Sequence, residues 1–132
     1  MDHAARILLV DDEPSLLKMM SAYLGRMGHA VVTANTTEKA WRAVQAAPEG
    51  FDVAVLDATM TGMPMEDLAR NMLNVNQRLC VLASSGYPVD ISTLESAAPG
   101  RVGFLHKPFS PEMLAAAVRR MLGAQKAQKE GL

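Results

Sequence analysis

Val53-Ala54-Val55-Leu56-Asp57 carries four apolar residues straight into a carboxylate, with Ala58-Thr59-Met60 behind it. An apolar run with no polar alternation reads as a strand buried on both faces, the condition of a parallel sheet covered by helices. The run stops at Asp57, which places that carboxylate at the strand's carboxyl end. In open α/β sheets this is the edge where ligands bind. Similar runs flank it along the chain. Ile7 to Val10 ends in Asp11-Asp12-Glu13, and Ala30 to Ala34 reads as a strand. Leu79 to Ala83 ends in Ser84-Ser85-Gly86, and Val102 to Leu105 ends in His106-Lys107-Pro108.

Helical patterns fill the intervals. Pro14 suits a first helical turn, where its missing N–H costs nothing. Leu16, Met20, Tyr23, Leu24 and Met27 follow at helical spacing up to Gly28, a natural stop. Thr36 can cap a helix carrying Ala40, Trp41, Val44 and Ala47, which ends before Pro48. Weaker patterns place helices from about Glu66 to Leu73 and from Ile91 to Ala97. Ser110-Pro111-Glu112 supplies a cap, a first-turn proline and an acid at the positive end of the helix dipole. Leu114, Ala117, Val118, Met121 and Leu122 then form one apolar face. Five alternations of strand and helix predict an α/β fold, an open parallel sheet with helices on both faces.

Composition narrows the function. The 132 residues suit one domain, expected over 1–123, with 124–132 a polar tail that frays. A hydrophobic content of 49% is enough for a core, and a net charge of −1 argues against direct nucleic-acid or membrane-surface binding. No apolar run has the length of a membrane span, and Met1 to Arg6 does not read as a signal peptide. The lone Cys80 excludes an internal disulfide and fits a cytoplasmic location. Inside an apolar run it reads as a small core residue. The ten methionines read as core filler, and His3, His29 and His106 show no ligand spacing.

Right-handed crossovers bring all the strand ends to one edge. That edge collects Asp11 and Asp12, Asp57, Ser84 and Ser85, and Lys107. Each has a plain reading taken alone: a turn, a helix cap, a solvent-facing lysine. Together they make a chemical set. Three crowded carboxylates repel one another unless a cation sits among them, and oxygen-only donors favour Mg²⁺. A lysine and a hydroxyl beside that ion would receive a tetrahedral anion such as phosphoryl, and an aspartate there can be the nucleophile.

Leu9-Val10-Asp11-Asp12-Glu13, Val55-Leu56-Asp57-Ala58-Thr59-Met60, Leu82-Ala83-Ser84-Ser85-Gly86-Tyr87 and Phe104-Leu105-His106-Lys107-Pro108-Phe109 together resemble the receiver domain of two-component response regulators. The resemblance covers about Arg6 to Gly123. It implies a flavodoxin-like sheet of order 2-1-3-4-5. It further implies that Asp57 is the phosphoacceptor, that Asp12 binds Mg²⁺ with Asp11 close by, and that the Thr59 carbonyl is a further ligand. Ser85, followed by Gly86-Tyr87, would be the switch hydroxyl, and Lys107 would pair with the phosphoryl oxygens. The Lys107-Pro108 bond would be cis, and Phe104 would be an aromatic switch. The donor would be a histidine kinase or histidine phosphotransferase. An effector would read the face of the fourth helix, fifth strand and fifth helix, where Phe104, Met113, Arg119 and Arg120 are expected exposed. The protein would be a monomer or a phosphorylation-dependent dimer, free-standing or part of a larger regulator or hybrid kinase. It would catalyse only its own transfer and self-dephosphorylation.

Two positions depart from the family's pattern. Thr61 stands where a proline usually follows the methionine, the proline coming instead at Pro64, and Met65 replaces a small residue. An unusual loop is therefore expected. Thr59 and Tyr87 border the path of attacking water, and bulky Tyr87 is expected to slow self-dephosphorylation. A phosphatase of the haloacid dehalogenase type competes on residue types. It fails on order, since Thr59 stands where its second acid belongs and the acidic pair precedes the nucleophile. A nucleotide-binding module fails for want of a Gly-rich loop after the first strand. A receiver-like scaffold that is never phosphorylated is the third reading.

Overall fold

The computed structural model describes residues 4–129, with side chains up to Gly123. The elements alternate without exception: β1 (Arg6–Val10), α1 (Pro14–Arg26), β2 (Ala30–Ala34), α2 (Thr37–Ala46), β3 (Val53–Asp57), α3 (Met65–Val75), β4 (Cys80–Ser85), α4 (Ser92–Ala97), β5 (Val102–His106) and α5 (Pro111–Lys129). All five strands are parallel, in the order β2-β1-β3-β4-β5. This is the flavodoxin-like order, whose reversal point lies between β1 and β3.

Successive strand residues point to opposite faces and so feed two cores. Ile7, Leu9, Val53, Val55, Cys80 and Leu82 pack with α1 and α5. Leu8, Val10, Ala54, Leu56, Val81 and Ala83 pack with α2, α3 and α4. β3 and β4 are buried along their whole length, as their unbroken apolar runs require, whereas edge strand β2 is mostly exposed. Thr36 caps α2 by accepting the Lys39 N–H at 3.0 Å, and Ser110 does the same for α5 through Met113 at 3.1 Å. Gly28 adopts φ 97° in the turn after α1, the left-handed conformation for which glycine has no steric cost.

Several boundaries differ from the sequence reading. β4 runs through Ser84 and Ser85 instead of ending before them, because both serines continue the parallel ladder to Leu105 and His106. α3 is longer than expected at both ends, and α4 begins at Ser92. α5 continues past Gly123 to Lys129, so residues 124–129 of the expected tail are helical. The expectations for His3 and for residues 130–132 lie outside the described residues. His29 does more than fill a turn, since its Nδ1 accepts the Ala5 N–H at 3.1 Å. Among the described residues, no helix is long and apolar enough to cross a membrane. Cys80 is buried, and burial pushes its thiol up to about 11, which keeps it protonated and unreactive.

Candidate functional site

Asp57 is the last residue of β3, and its ladder partner on β4 is Ser84. Asp11 and Asp12 follow β1 directly, and Lys107 follows β5. The strand ends therefore converge as the sequence predicts. Lys107 Nζ donates to Asp11 Oδ2 at 2.8 Å and reaches Asp57 Oδ2 at 3.5 Å. Asp57 Oδ1 accepts both the Thr59 N–H, at 2.9 Å, and the Thr59 hydroxyl, at 2.8 Å. Asp11 Oδ1 accepts the Glu13 N–H at 3.0 Å. Asp11 and Asp57 are buried, while Asp12 is open to solvent.

One carboxylate oxygen from each of Asp11, Asp12 and Asp57 lies within 4.8 Å of the others. Among the described residues Lys107 is the cation that contacts this cluster, so three negative charges there face one positive charge. Burial raises the Asp11 carboxyl above its ordinary value. The bonds from Lys107 and the Glu13 N–H bring it partway back, and the Asp57 charge pushes it up again. Burial by itself would lower the Lys107 ammonium, but Asp11 and Asp57 together outweigh it and hold the group more firmly protonated. The donor set is all oxygen, under-neutralised and open on the Asp12 side. Those properties suit a hard divalent ion that keeps some of its waters, as Mg²⁺ does.

Ser85 is buried, and its Oγ accepts the Tyr87 N–H at 3.0 Å. The Lys107 N–H donates to the Ser85 carbonyl at 2.8 Å, which ties the β4 and β5 ends together. Ser84 is equally buried, and among the described residues its Oγ has no hydrogen-bond partner. The Lys107-Pro108 bond is cis. Beside Lys107 lies an open hollow of about 590 Å³ lined by Glu13, Leu16, Gly86, Tyr87, Pro108 and Phe109. Tyr87 is 74% exposed at its rim.

Phe104 is a correction. The sequence reading placed it on the surface, but it is half-buried and packs against the core that contains Leu94, Ala98 and Val102. Its ladder partner is Ala83, whose side chain enters that same core, so register turns Phe104 inward. Its ring meets His106 edge-on at 6.1 Å. Met113, Arg119 and Arg120 are exposed as expected.

The loop that departs from the expected pattern is also resolved in detail. Gly62 takes φ 96°, Pro64 precedes the first residue of α3, and Met65 is buried in the core. Thr37, to which the sequence reading gave no role, accepts the Met63 N–H at 3.1 Å. A threonine directly after a capping threonine carries no sequence signal of such a long-range bond.

The family profile described as "Response regulator receiver domain" matches residues 7–119. Among curated proteins, Response regulator GtcR of Aneurinibacillus migulanus is 27% identical over 116 residues, covering 88% of this chain and 47% of that protein. Sensor kinase CckA of Brucella abortus is 30% identical over 122 residues, covering 92% of this chain and 13% of that protein. The chain thus spans about half or less of the length of these curated relatives. Among solved structures, chemotaxis response regulator CheY4 of Vibrio cholerae superposes with a TM-score of 0.76 at 30% identity, covering 89% of this chain and 98% of that one.

Proposed function

This chain belongs to the response regulator receiver family, the phosphoryl-accepting signalling module of two-component systems, and from that premise we propose that Asp57 is its phosphoacceptor. One observation carries the reading: a buried strand-end carboxylate 3.5 Å from a lysine ammonium and within 4.8 Å of two further carboxylates. Asp12 and Asp57, with Asp11 nearby and the Thr59 backbone carbonyl, would hold Mg²⁺. The ion, when bound, supplies positive charge that offsets the donor's phosphoryl oxygens as they approach the carboxylates.

The chain's own residues do the rest. A carboxylate oxygen of Asp57 forms a bond to phosphorus as the P–N bond of a donor phosphohistidine breaks, and the pair of electrons leaves with the imidazole nitrogen. Lys107, already aimed at Asp57, holds the incoming oxygens. The new dianion then competes for the Ser85 hydroxyl, whose oxygen accepts the Tyr87 N–H. Drawing Ser85 and Lys107 inward from separate strand ends biases the β4–α4 and β5–α5 connections toward a second packing. Phe104, half-buried beside them, is the side chain whose rotamer reports that change. The effector would read α4, β5 and α5, including Met113 and one or both of Arg119 and Arg120.

The donor, a histidine kinase or histidine phosphotransferase, would approach over the apolar rim of Leu16, Tyr87, Pro108 and Phe109. We place the module in the cytoplasm, where such donors deliver phosphate, acting as a monomer or as a dimer formed on phosphorylation. Its catalysis would extend only to its own phosphorylation and dephosphorylation.

The test is intact mass after incubation with a small-molecule phosphodonor such as an acyl phosphate. One phosphoryl adduct is expected with Mg²⁺ and none with a chelator. A folded protein that gains no adduct would favour the unphosphorylated scaffold. Tyr87→Ala is a second prediction. In the receiver reading the Tyr87 position borders the path of water to Asp57, so the variant should lose phosphate severalfold faster in a decay assay. An unchanged half-life would remove Tyr87 from that role.

A further inference from the structure

Thr37 is a buried polar residue, 4% exposed, in the first turn of α2 and outside the acidic cluster. Its neighbour Thr36 already caps the helix, so the Thr37 hydroxyl is not needed there. Thr37 Oγ1 instead accepts the Met63 N–H across 26 residues of sequence, joining α2 to the loop that leaves Asp57.

That loop is pinned at its near end. The Ala58 N–H donates to the Ser84 carbonyl at 2.8 Å, and Thr59 grips Asp57 Oδ1 with two donors. Its middle is held more loosely. Met60 and Met63 pack against the core, and Asn71 Nδ2 makes a long 3.8 Å contact with Met63 Sδ. Among the described residues the backbone bond from Met63 is the one to Thr37. Thr61 lacks the fixed φ that a proline would impose, and Gly62 stands at φ 96°, where side chains are strained. A Cβ on Gly62 would come within 2.5 Å of Thr37 Oγ1. Glycine is therefore what lets the loop lie against Thr37, and the Met63 bond is the contact that fixes the loop's backbone to α2.

We propose that Thr37 is a positioning residue for the metal-holding loop, its hydroxyl fixing Met63 and so the path of residues 59–63 on which the Thr59 carbonyl depends. The inference rests on the receiver reading of the site. In this chain the bond takes over the restraint that proline supplies in other receivers. Thr37 touches neither phosphoryl group nor metal.

The test reads Mn²⁺ binding, by the free-ion paramagnetic resonance signal, in the unphosphorylated protein. Thr37→Val keeps the side chain's shape and removes the acceptor. It should weaken Mn²⁺ binding about tenfold, the scale of an outer-shell partner's loss. Thr37→Ser keeps the acceptor and should bind like the parent. Thr37→Val binding at parental strength would overturn the proposal, as would Thr37→Ser binding as weakly as the valine variant. Should Thr37→Val fail to fold, Gly62→Ala tests the same contact from the loop side. It should bind Mn²⁺ more weakly, and parental affinity in a folded Gly62→Ala would equally overturn the idea. Asp12→Asn separates the two levels. If the parent binds no Mn²⁺, or Asp12→Asn binds as well as the parent, the metal reading itself falls and takes Thr37 with it.

Discussion

Asp57→Asn is expected to carry no phosphoryl adduct at any phosphodonor concentration while unfolding at a higher temperature than the parent. The first outcome follows from chemistry, because an amide oxygen at the end of β3 is a far poorer nucleophile than a carboxylate, and in the receiver reading the neighbouring Asp11 and Asp12 serve the metal. The second follows from the charges. In the parent, Lys107 faces Asp11 at 2.8 Å and Asp57 at 3.5 Å, with Asp12 close by. Asp57's charge is one of the influences that push the Asp11 carboxyl upward. Removing it leaves Asp11 and Lys107 as a matched pair. The asparagine Oδ1 can still accept the two Thr59 donors that now hold Asp57, so little hydrogen bonding is lost. Functional sites of this kind are held at a cost in stability that a neutral substitution releases. A gain of about 1 kcal/mol corresponds to roughly 4 °C in a domain of this size. Mg²⁺ should raise the parent's midpoint more than the variant's. A melting scan in which Asp57→Asn unfolds at or below the parent's temperature without metal would show that repulsion at the cluster is already relieved.

The site was legible in the sequence because each of its side chains sits immediately at or after a strand's carboxyl end. Parallel topology then does the assembling, and Asp11, Asp57 and Lys107 meet across separations of up to 96 residues. The same logic misjudged what register decides. Ser84 and Ser85 looked like loop residues because hydroxyls commonly mark turns, yet hydrogen bonding along β5 carries the strand through them. Phe104 was expected exposed because the receiver resemblance puts it on the output face as a switch, yet its pairing with Ala83 turns it toward the core, where it is half-buried. Thr37 was illegible for another reason. A bond between a helix's first turn and a loop 26 residues away leaves no periodicity, and only the packed structure brings Gly62 close enough to reveal it.

Arg101 was equally silent in the sequence, where it falls between the fourth helical pattern and the strand that begins at Val102. The structure buries it to 8% exposure. Its guanidinium donates through Nε to the Leu79 carbonyl at 2.9 Å and through one terminal nitrogen to the carbonyls of Leu73 and Asn76. Leu73 lies in the last turn of α3, so the cation also meets the negative end of that helix. Asn76 extends the network, donating to the Phe51 carbonyl at 2.9 Å and accepting the Arg78 N–H at 3.0 Å. Burial lowers the Arg101 pKa from its ordinary value, but an arginine starts so high that the side chain stays charged at neutral pH. Arg101→Met keeps much of the volume and removes every donor, leaving buried carbonyls without partners. Bonds from a charged donor contribute more than neutral ones, and the desolvated methionine recovers part of the loss, so the net cost should be about 2–4 kcal/mol. Against the ~5–15 kcal/mol typical of a whole domain, that is a large share. Urea unfolding should show the midpoint falling with an unchanged slope, and Arg101→Lys should lie in between, since one ammonium cannot span the same fork of acceptors. Mg²⁺-dependent phosphorylation of the folded fraction should persist, because Arg101 lies beyond the amino end of β5, opposite the edge that holds Asp57. A midpoint shift too small to measure would mean that water replaces the guanidinium at these carbonyls and that Arg101 is not the clasp between α3 and β4.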